Sequence, residues 1–284
     1  MRIDLHSHSD ASDGTEPPAE VVRRAGEASL DVLALTDHDT VAGLSAAAAA
    51  LPAGLTLVPG MELSCRREGM SIHLLAYLFD PADPELAAEC ERIREARERR
   101  GRQVVERLVE LGVPLTWEQV ATLAGDGVVG RPHIARAMVD AGVISEPVQA
   151  FTTEWLAPGG RAYVSRYALD PMAAVRLVRA AGGAPVLAHP KASKRGRVIR
   201  DEWIAELADA GLFGVEVDHT DHDEAARDHL RDLAVDLDLA VTGSSDDHGR
   251  LTGHRLGCHT TSPEVYARLV ATATGAAPAS GAGE

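Results

Sequence analysis

The chain has 284 residues, of which 45% are hydrophobic, 25% are charged and only 4% are aromatic. These values are typical of a globular protein with an aliphatic core, and the length suits one large domain or two ordinary ones. The formal net charge of -15 argues against a basic surface that coats duplex DNA. A small anionic substrate stays compatible with this charge, because bound cations can dominate a site.

The cysteines and the start of the chain bear on its cellular compartment. Cys65, Cys90 and Cys258 show no CxxC spacing and cannot all pair with one another, which favours reduced thiols. The first residues, MRIDLH, lead into a strand-like segment without the apolar stretch of a signal peptide. No segment approaches the ~18 apolar residues of a membrane span. We therefore expect a cytoplasmic protein with no membrane partner.

Short apolar segments typical of buried strands alternate with segments typical of helices. The predicted strands are Arg2–Leu5, Val32–Leu35, Leu55–Val58, Ile72–Tyr77, Pro185–Ala188, Gly214–Val217 and Leu239–Thr242. The predicted helices between them are Pro18–Ala28, Val41–Ala50, Pro171–Ala181, Asp201–Ala210, Glu224–Asp236 and Pro263–Ala271. This alternation favours a parallel α/β sheet or barrel, and seven strands predict a barrel one unit short of the common eight.

The interval from Pro84 to Tyr163 interrupts this alternation, because it contains no convincing strand. A long, charged helical segment, Glu85–Gly112, precedes two shorter helical candidates, Trp117–Leu123 and Ile134–Ala141. We interpret the interval as a helical insertion, with an extended set of barrel helices as the alternative. The predicted domains are a discontinuous barrel (1–84 and 163–271), a helical insertion domain (85–162) and a Gly/Ala/Pro-rich disordered tail (272–284).

Histidines and carboxylates cluster at the ends of the predicted strands. His6 and His8 follow the first strand two residues apart, which puts both rings on one face, and Asp13 comes five residues later. The other candidates are Asp37, His38 and Asp39 after the second strand, Glu62 after the third, His73 at the start of the fourth, His189 after the fifth, and Asp246 and His248 after the seventh. Asp37 and Asp39 suit the start of the next helix equally well.

In a parallel barrel, the carboxyl ends of the strands converge on one face. So many polar side chains would be costly to bury without partners, and imidazole and carboxylate are natural ligands of Zn, Mn and Fe. The sequence therefore predicts a metal centre at that face.

Five motifs in this order resemble those of the PHP (polymerase and histidinol phosphatase) family: HSHSDASDG, LTDHD, GMELS with a following His, LAHP and SDDHG. The resemblance covers residues 1–90 and 160–260. It implies a distorted (β/α)7 TIM-like barrel with three divalent metal ions at the carboxyl ends of its strands. By the same resemblance, His6, His8, Glu62 and Asp246 would hold the first ion; Glu62, His73 and His189 the second; and Asp13, His38 and His248 the third.

Gly130–His133 reads GRPH and resembles an element of the stand-alone bacterial branch of this family, which carries a helical insertion. Members of that branch act on phosphomonoesters of nucleotides, including 3',5'-bisphosphorylated nucleosides, and some trim RNA from the 5' end. We expect Arg131 and His133 to bind substrate, because a guanidinium can pair two phosphate oxygens. The alternative is an ordinary surface arginine at a helix start.

Two further segments are candidates for substrate contacts. His219, after the sixth strand, is predicted either to donate a hydrogen bond to the phosphate or to protonate the leaving oxygen. The alternative is a histidine that only supports its neighbours or faces solvent. A basic segment after His189, comprising Lys191, Lys194, Arg195, Arg197 and Arg200, suits a second phosphate or a polynucleotide, although a solvated loop explains it as well.

The predicted mechanism uses charge and position. Three divalent cations would bring six positive charges, which exceed the three negative charges of Asp13, Glu62 and Asp246. The cluster would therefore stay positively charged and suit a phosphate dianion. A hydroxide from metal-bound water, whose pKa can fall to ~7, would attack phosphorus while the metals and Arg131 hold the non-bridging oxygens. A nucleophilic Ser or Cys is not supported, because the sequence has no GxSxG motif and no cysteine at a strand-end motif.

The resulting hypothesis is a phosphatase of nucleotide monoesters such as 3',5'-bisphosphorylated nucleosides or AMP. The alternatives are a 5'-3' exonuclease on short RNA or DNA, a histidinol-phosphate phosphatase, and a non-catalytic, metal-stabilised interaction module. The complete ligand set and the absence of a fused polymerase argue against the last. The metal identity stays open among Mn, Fe and Zn.

Overall fold

The computed structural model describes residues 1–125, 129–165, 167–193 and 198–281. Lys194, Arg195 and Arg197 of the predicted basic segment lie outside the described residues. The chain divides into two compact units, which we call the barrel unit (Met1–Cys90 with Ala168–Glu284) and the helical unit (Glu91–Tyr167).

Seven strands of the barrel unit follow one another around a nearly closed barrel. They are β1 (Ile3–Asp4), β2 (Val32–Leu35), β3 (Thr56–Arg67), β4 (Met70–Tyr77), β5 (Ala184–Leu187), β6 (Gly214–Asp218) and β7 (Ala240–Gly243). Just beyond β1 and β7, a bridge between Ser7 and Asp247 brings the two edges together. The prediction of a seven-stranded α/β barrel is confirmed.

The direction of β4 corrects the prediction of an all-parallel barrel. β3 continues to Arg67, so only Glu68 and Gly69 join it to β4. Such a short connection permits only an antiparallel pair, and the positive φ of both residues, 49° and 83°, is what this hairpin turn requires. β4 therefore runs antiparallel to β3 and β5, and its beginning lies where the parallel strands end.

Both faces of the strands are buried, which explains their continuous apolar sequences. In β2, Val32 and Ala34 pack in the cluster that fills the barrel, whereas Leu33 and Leu35 pack in the cluster outside it. In β4, the Tyr77 side chain is fully buried and its hydroxyl donates a hydrogen bond of 2.7 Å to the Leu5 carbonyl.

The helices have local signals at their starts. They are α1 (Pro18–Glu27), α2 (Leu44–Ala49), α3 (Pro84–Glu110), α4 (Trp117–Ala124), α5 (Arg131–Asp140), α6 (Pro171–Ala180), α7 (Asp201–Asp209), α8 (Glu224–Asp236) and α9 (Pro263–Thr272). Asp170, Asp223 and Ser262 accept backbone N–H groups at the starts of α6, α8 and α9. Within the described residues, no helix combines the length and apolarity that a bilayer crossing requires.

The helical unit has an aliphatic core of its own. Buried side chains of the second half of α3 pack against those of α4 and α5, including Leu108, Val120, Ile134 and Met138. Thr116 and Gln119 form a capping box at the start of α4, each accepting the other's backbone N–H.

The segment after α9 differs from the predicted disordered tail. The Thr274 and Gly275 N–H groups donate to the Gly182 carbonyl, and β8 (Ala279–Ser280) pairs with β3. A Cβ at Gly275 would lie 2.3 Å from the Asp80 nitrogen, so close packing demands the small residue there. The small residues of this segment, as far as Gly281, thus allow close backbone contacts with the rest of the barrel unit.

Candidate metal centre

Nine predicted ligands lie together at the end of the barrel where its parallel strands finish. His6 and His8 follow β1, Asp13 lies in the next loop, His38 follows β2, Glu62 lies within β3, His73 near the start of β4, His189 after β5, and Asp246 and His248 after β7. Asp13 and His248 are partly buried and the other seven are buried. The antiparallel direction of β4 explains why a residue near the start of that strand joins the others.

The Glu62 carboxylate lies between two sets of imidazoles. Its Oε2 atom is 3.2 Å from Nε2 of His6 and 3.2 Å from Nε2 of His8. Its Oε1 atom is 2.7 Å from His73 Nδ1 and 3.1 Å from His189 Nε2. A carboxylate with its two oxygens placed in this way can bridge neighbouring cations.

The Asp246 carboxylate completes the group around His6 and His8. Its Oδ1 atom is 3.4 Å from His6 Nε2 and 3.3 Å from His8 Nε2, and these two nitrogens are 3.0 Å apart. With Glu62, these residues form a fully buried set of four, whose ligand atoms all lie within 4.8 Å of one another.

A further group surrounds Asp13. His248 Nε2 is 3.3 Å from Asp13 Oδ1, and His38 Nε2 is 3.7 Å from Asp13 Oδ2. His8 belongs to this group through Nδ1, and His38 also groups with Glu62 and His73. The groups share members, so the geometry permits more than one division of the ligands among ions.

The spacing of these atoms fits cations of the Zn or Mn type. Two ligands ~2.1 Å from one ion lie about 3.4 Å apart at a tetrahedral angle and about 3.0 Å apart at a right angle. The 3.0–3.4 Å separations among His6, His8 and Asp246 match this range. The buried Nδ1 atom of His8 has no hydrogen-bond partner among the described residues. A cation would give this nitrogen the partner that the protein does not supply.

Burial and neighbouring charges shift the pKa values of several side chains in the cluster. Burial alone lowers the pKa of His8, but the adjacent Asp246 and Glu62 carboxylates raise that pKa to about 10. Burial raises the pKa of Glu62, but the surrounding His38, His73 and His6 rings hold it well below its ordinary value. Burial lowers the pKa of His189 to about 4, so this imidazole is already neutral, as a metal ligand must be.

Glu216 is the main site residue that the sequence analysis missed. It is fully buried on β6 and accepts hydrogen bonds from His6 Nδ1 (3.1 Å), from the His189 backbone N–H (2.8 Å) and from the Ser244 hydroxyl. A carboxylate on Nδ1 leaves Nε2 of His6 free to face the cluster, as in many metal sites. A carboxylate inside the apolar strand GVEVD was the available signal.

Asp37 and Asp39 do not cap the next helix, whose first turn follows Gly43. Asp37 accepts hydrogen bonds from the Ser9 backbone, the Ser9 hydroxyl and the Ser12 hydroxyl, at 2.6–2.7 Å. Asp39 accepts the Ser64 N–H at 2.7 Å. Both carboxylates therefore brace the loops that carry the cluster.

Backbone strain accompanies the site. Asp246, His189 and Asp39 have φ values of 50°, 29° and 55°, in a region that side-chain-bearing residues rarely adopt. Such conformations persist where surrounding contacts enforce them, and they concentrate at functional sites.

His219 is buried beside the cluster. Its Nδ1 accepts the Asp221 N–H at 3.0 Å, which places the ring proton on Nε2, 3.3 Å from Asp246 Oδ2. Arg227 donates to the His219 carbonyl at 2.8 Å and so holds the main chain of this residue. A neutral imidazole in this tautomer can donate a hydrogen bond but has no readily transferred proton.

Arg131 and His133 lie in the first turn of α5 and belong to the helical unit. His133 Nδ1 accepts the Gly130 N–H at 3.0 Å, and the Arg131 guanidinium lies 5.7 Å from the Phe151 ring. Their predicted contacts with substrate stay a prediction.

The described part of the predicted basic segment is already engaged within the barrel unit. Lys191 Nζ donates to the Ile199 carbonyl and the Asp201 carboxylate, each at 2.6 Å, and Arg200 pairs with Glu68 at 2.8 Å. These contacts favour the solvated-loop alternative for the exposed Arg200, and they give Lys191, which is largely buried, a structural role within its loop.

The chain is similar over most of its length to bacterial proteins that cleave phosphate esters. A 5'-3' exoribonuclease of Haemophilus influenzae is 35% identical over 249 residues, covering 87% of this chain and 90% of that protein. A 3',5'-nucleoside bisphosphate phosphatase of Chromobacterium violaceum is 35% identical over 262 residues, covering 89% and 90%. The crystal structure of a protein proposed to be a metal-dependent phosphoesterase of Bifidobacterium adolescentis has a TM-score of 0.87 and 33% identity, covering 96% of each chain.

The barrel, its buried cluster and these similarities define a metal-dependent phosphoesterase, an enzyme of the phosphoric ester hydrolase class. The family profile described as the PHP domain matches residues 4–111, which contain His6, Glu62 and His73. The chain belongs to the PHP family. The resemblance, the fold and the enzyme class expected from the sequence are confirmed, and the non-catalytic alternative is set aside.

Proposed function

We propose that the chain hydrolyses phosphate monoesters of nucleotides at a centre of three divalent cations held by nine side chains. The observation that carries this proposal is the Glu62 carboxylate, whose two oxygens face different imidazoles at 2.7–3.2 Å. An arrangement of this kind suits neighbouring ions more than a single one.

The proposed division of ligands is the one that the resemblance to the PHP family implies, and the distances among the side chains of the barrel unit are compatible with it. His6, His8, Glu62 and Asp246 would hold one ion; Glu62, His73 and His189 would hold a second; Asp13, His38 and His248 would hold a third. Mixed imidazole and carboxylate ligands suit Mn, Fe and Zn. When bound, such cations neutralise phosphate charge and lower the pKa of water enough to make it a nucleophile near neutral pH.

His219 is proposed to contact the substrate phosphate through its Nε2–H group. The tautomer that the Asp221 N–H favours supports hydrogen-bond donation over proton transfer to the leaving oxygen. Donors preorganised toward phosphate oxygens stabilise charge that develops in the transition state.

Arg131 and His133 are proposed to recognise the substrate. A guanidinium offers two parallel N–H donors to a phosphate, and the start of α5 adds the positive end of a helix dipole. Similarity to a nucleoside bisphosphate phosphatase supports a nucleotide with a second phosphate as the substrate.

Substrate preference can be tested on metal-free protein reconstituted with Mn, Fe or Zn. Inorganic phosphate release is measured from adenosine 3',5'-bisphosphate, AMP and histidinol phosphate, and mononucleotide release from a 5'-phosphorylated RNA oligomer. We expect phosphate release from the bisphosphate, loss of activity with chelator, and loss of activity in His8→Ala. His229→Ala is the matched control, because His229 is half exposed and pairs with Asp201 on the surface.

The second candidate is a 5'-3' exonuclease that uses the same cluster, and the similarity to an exoribonuclease supports it. Mononucleotide release that exceeds phosphate release from the bisphosphate would favour this candidate. Failure to cleave any phosphate ester with all three metals, or full activity of His8→Ala, would contradict the proposed centre.

A further inference from the structure

Arg255 lies outside the nine proposed ligands, in the loop after β7, yet it reaches one of them directly. Its Nη2 group donates a hydrogen bond of 2.8 Å to the main-chain carbonyl of Asp246. The same group is 3.8 Å from Asp246 Oδ2, and the arginine side chain is only 19% exposed. The Arg255 guanidinium thus interacts with both the main-chain carbonyl and the carboxylate of Asp246, which is a proposed ligand.

The Asp246 carbonyl also orients a second proposed ligand. His248 Nδ1 lies 3.1 Å from this oxygen, and a carbonyl can only accept, so Nδ1 carries the ring proton. The lone pair of His248 is therefore on Nε2, which lies 3.3 Å from Asp13 Oδ1. The hydrogen bond to the carbonyl selects the tautomer that can bind a cation beside Asp13.

The Asp246 backbone needs external support to keep this geometry. Its φ of 50° is unfavourable for a residue with a side chain. A charged donor on its carbonyl is among the stronger hydrogen bonds available, and burial strengthens it further. Arg255 therefore opposes relaxation of the strained peptide, which would move the carboxylate of Asp246 and the ring of His248 together.

Hydrogen bonds to the Asp247 carboxylate fix the loop that carries Arg255. The Arg255 backbone N–H donates to Asp247 Oδ1 at 2.7 Å, and the Thr252 hydroxyl donates to the same oxygen at 2.9 Å. The Gly249 N–H donates to the other carboxylate oxygen at 3.0 Å. One buried carboxylate next to Asp246 thus closes the loop over residues 247–255.

We propose that Arg255 is a positioning residue, which holds Asp246 and His248 in the geometry that binds cations in two adjoining groups. This inference rests on the proposed metal centre. Removing a group that orients a metal ligand typically costs 10–100-fold in metal affinity or activity. The loss should fall on cation binding first, because the Arg255 guanidinium interacts with the proposed ligand Asp246.

The test compares Arg255→Ala and Arg255→Gln with Arg250→Ala, a matched change in the same loop at a side chain that is 73% exposed. Purified proteins are stripped, loaded with Mn2+ and dialysed, and retained manganese is counted by mass spectrometry. A thermal-shift titration with Mn2+ gives the half-saturating concentration. The metal-free melting temperature reports folding separately.

We expect Arg255→Ala to retain fewer ions than the wild type and to need about 10–100-fold more Mn2+ for half saturation. Arg255→Gln keeps an amide donor and should fall between it and the wild type, and it decides the matter if Arg255→Ala does not fold. Arg250→Ala should match the wild type. Excess Mn2+ should restore most of kcat in the Arg255 variants, with KM little changed.

Unchanged manganese retention and half-saturation in folded Arg255 variants would overturn the inference. A raised KM with normal metal affinity would also overturn it, because it would make Arg255 a substrate contact. A wild-type chain that retains no manganese would instead refute the proposed centre, so the two failures are distinguishable.

Discussion

The barrel unit and the helical unit bury different kinds of side chain. The barrel unit buries a dense set of imidazoles, carboxylates and hydroxyls at one end, including His6, Glu62, Glu216 and Asp246. Among the described residues of the helical unit, every buried side chain is apolar, as in the cluster around Ile134 and Met138. Burying polar groups lowers the stability of the fold, and such groups concentrate at functional sites. Their concentration in the barrel unit therefore indicates that the functional site lies there.

The difference also separates two ways of placing functional groups. Barrel groups such as His6 are fixed by strands and by hydrogen bonds from other buried groups, so small changes should affect chemistry strongly. Arg131 lies at the start of α5 and is proposed to bind the substrate phosphate, not the cations. We therefore expect changes in the barrel cluster to lower kcat and changes at the start of α5 to alter KM.

The largest effect is expected for Asp246→Asn. This change removes a negative charge that faces His6, His8 and His219, and several kcal/mol of metal-centred stabilisation with it, so kcat/KM should fall at least about a thousandfold. Phosphate release in excess Mn2+ measures the effect. Asp228→Asn, at a side chain that is 69% exposed, is the control. A loss below about tenfold would show that the barrel cluster is not the reaction centre.

Substitution of His219 should have the next largest effect. His219→Ala removes a buried donor, and the loss of one preorganised donor lowers kcat about 10²–10³-fold. His219→Gln carries an N–H group near the same position and should recover activity to within about tenfold if donation is the role. Equal inactivity of both variants would instead favour proton transfer, which an amide cannot perform.

Glu216→Gln should lower activity about 10–100-fold, because Glu216 accepts a hydrogen bond from His6 Nδ1 and so orients the His6 ring. The neutral side chain keeps the shape but loses the charge-assisted hydrogen bond. Activity measured against Mn2+ concentration should show a higher requirement for metal. Glu224→Gln, in the exposed first turn of α8, serves as the matched surface change, and a wild-type metal profile in Glu216→Gln would remove the orienting role.

The smallest effect is expected in the helical unit. Arg131→Ala should raise KM about tenfold and leave kcat nearly unchanged, because it removes the proposed phosphate contact, for which a tenfold loss of affinity corresponds to roughly 1.4 kcal/mol. Arg136→Ala, on the same helix in a surface pair with Asp140, should match the wild type. A large fall in kcat with constant KM would contradict the division of roles between the two units.

The sequence predicted that these side chains cluster because polar residues at the ends of apolar strands are visible in the chain order, as in LTDHD and LAHP. Glu216 was missed because its carboxylate lies inside a strand, whereas the sequence prediction considered only polar residues at strand ends. The hydrogen bonds of Arg255 left no pattern in the sequence, since they join a loop to a main-chain carbonyl.

Two features of the fold could not be predicted from local sequence patterns. The direction of β4 depends on how far β3 extends toward Arg67, and strand ends are the least certain part of a sequence interpretation. The ordered segment after α9 depends on backbone hydrogen bonds to Gly182 and on the absence of a Cβ at Gly275, so its small residues resemble a disordered tail.

The central claim is that the nine clustered side chains hold several cations. The most direct measurement is an anomalous difference map from crystals of the chain grown with Mn2+, recorded at a wavelength where manganese scatters anomalously. The account predicts three peaks, one beside His6 and Asp246, one beside His73 and His189, and one beside Asp13 and His248. A map without a peak within about 2.5 Å of Glu62 would contradict it.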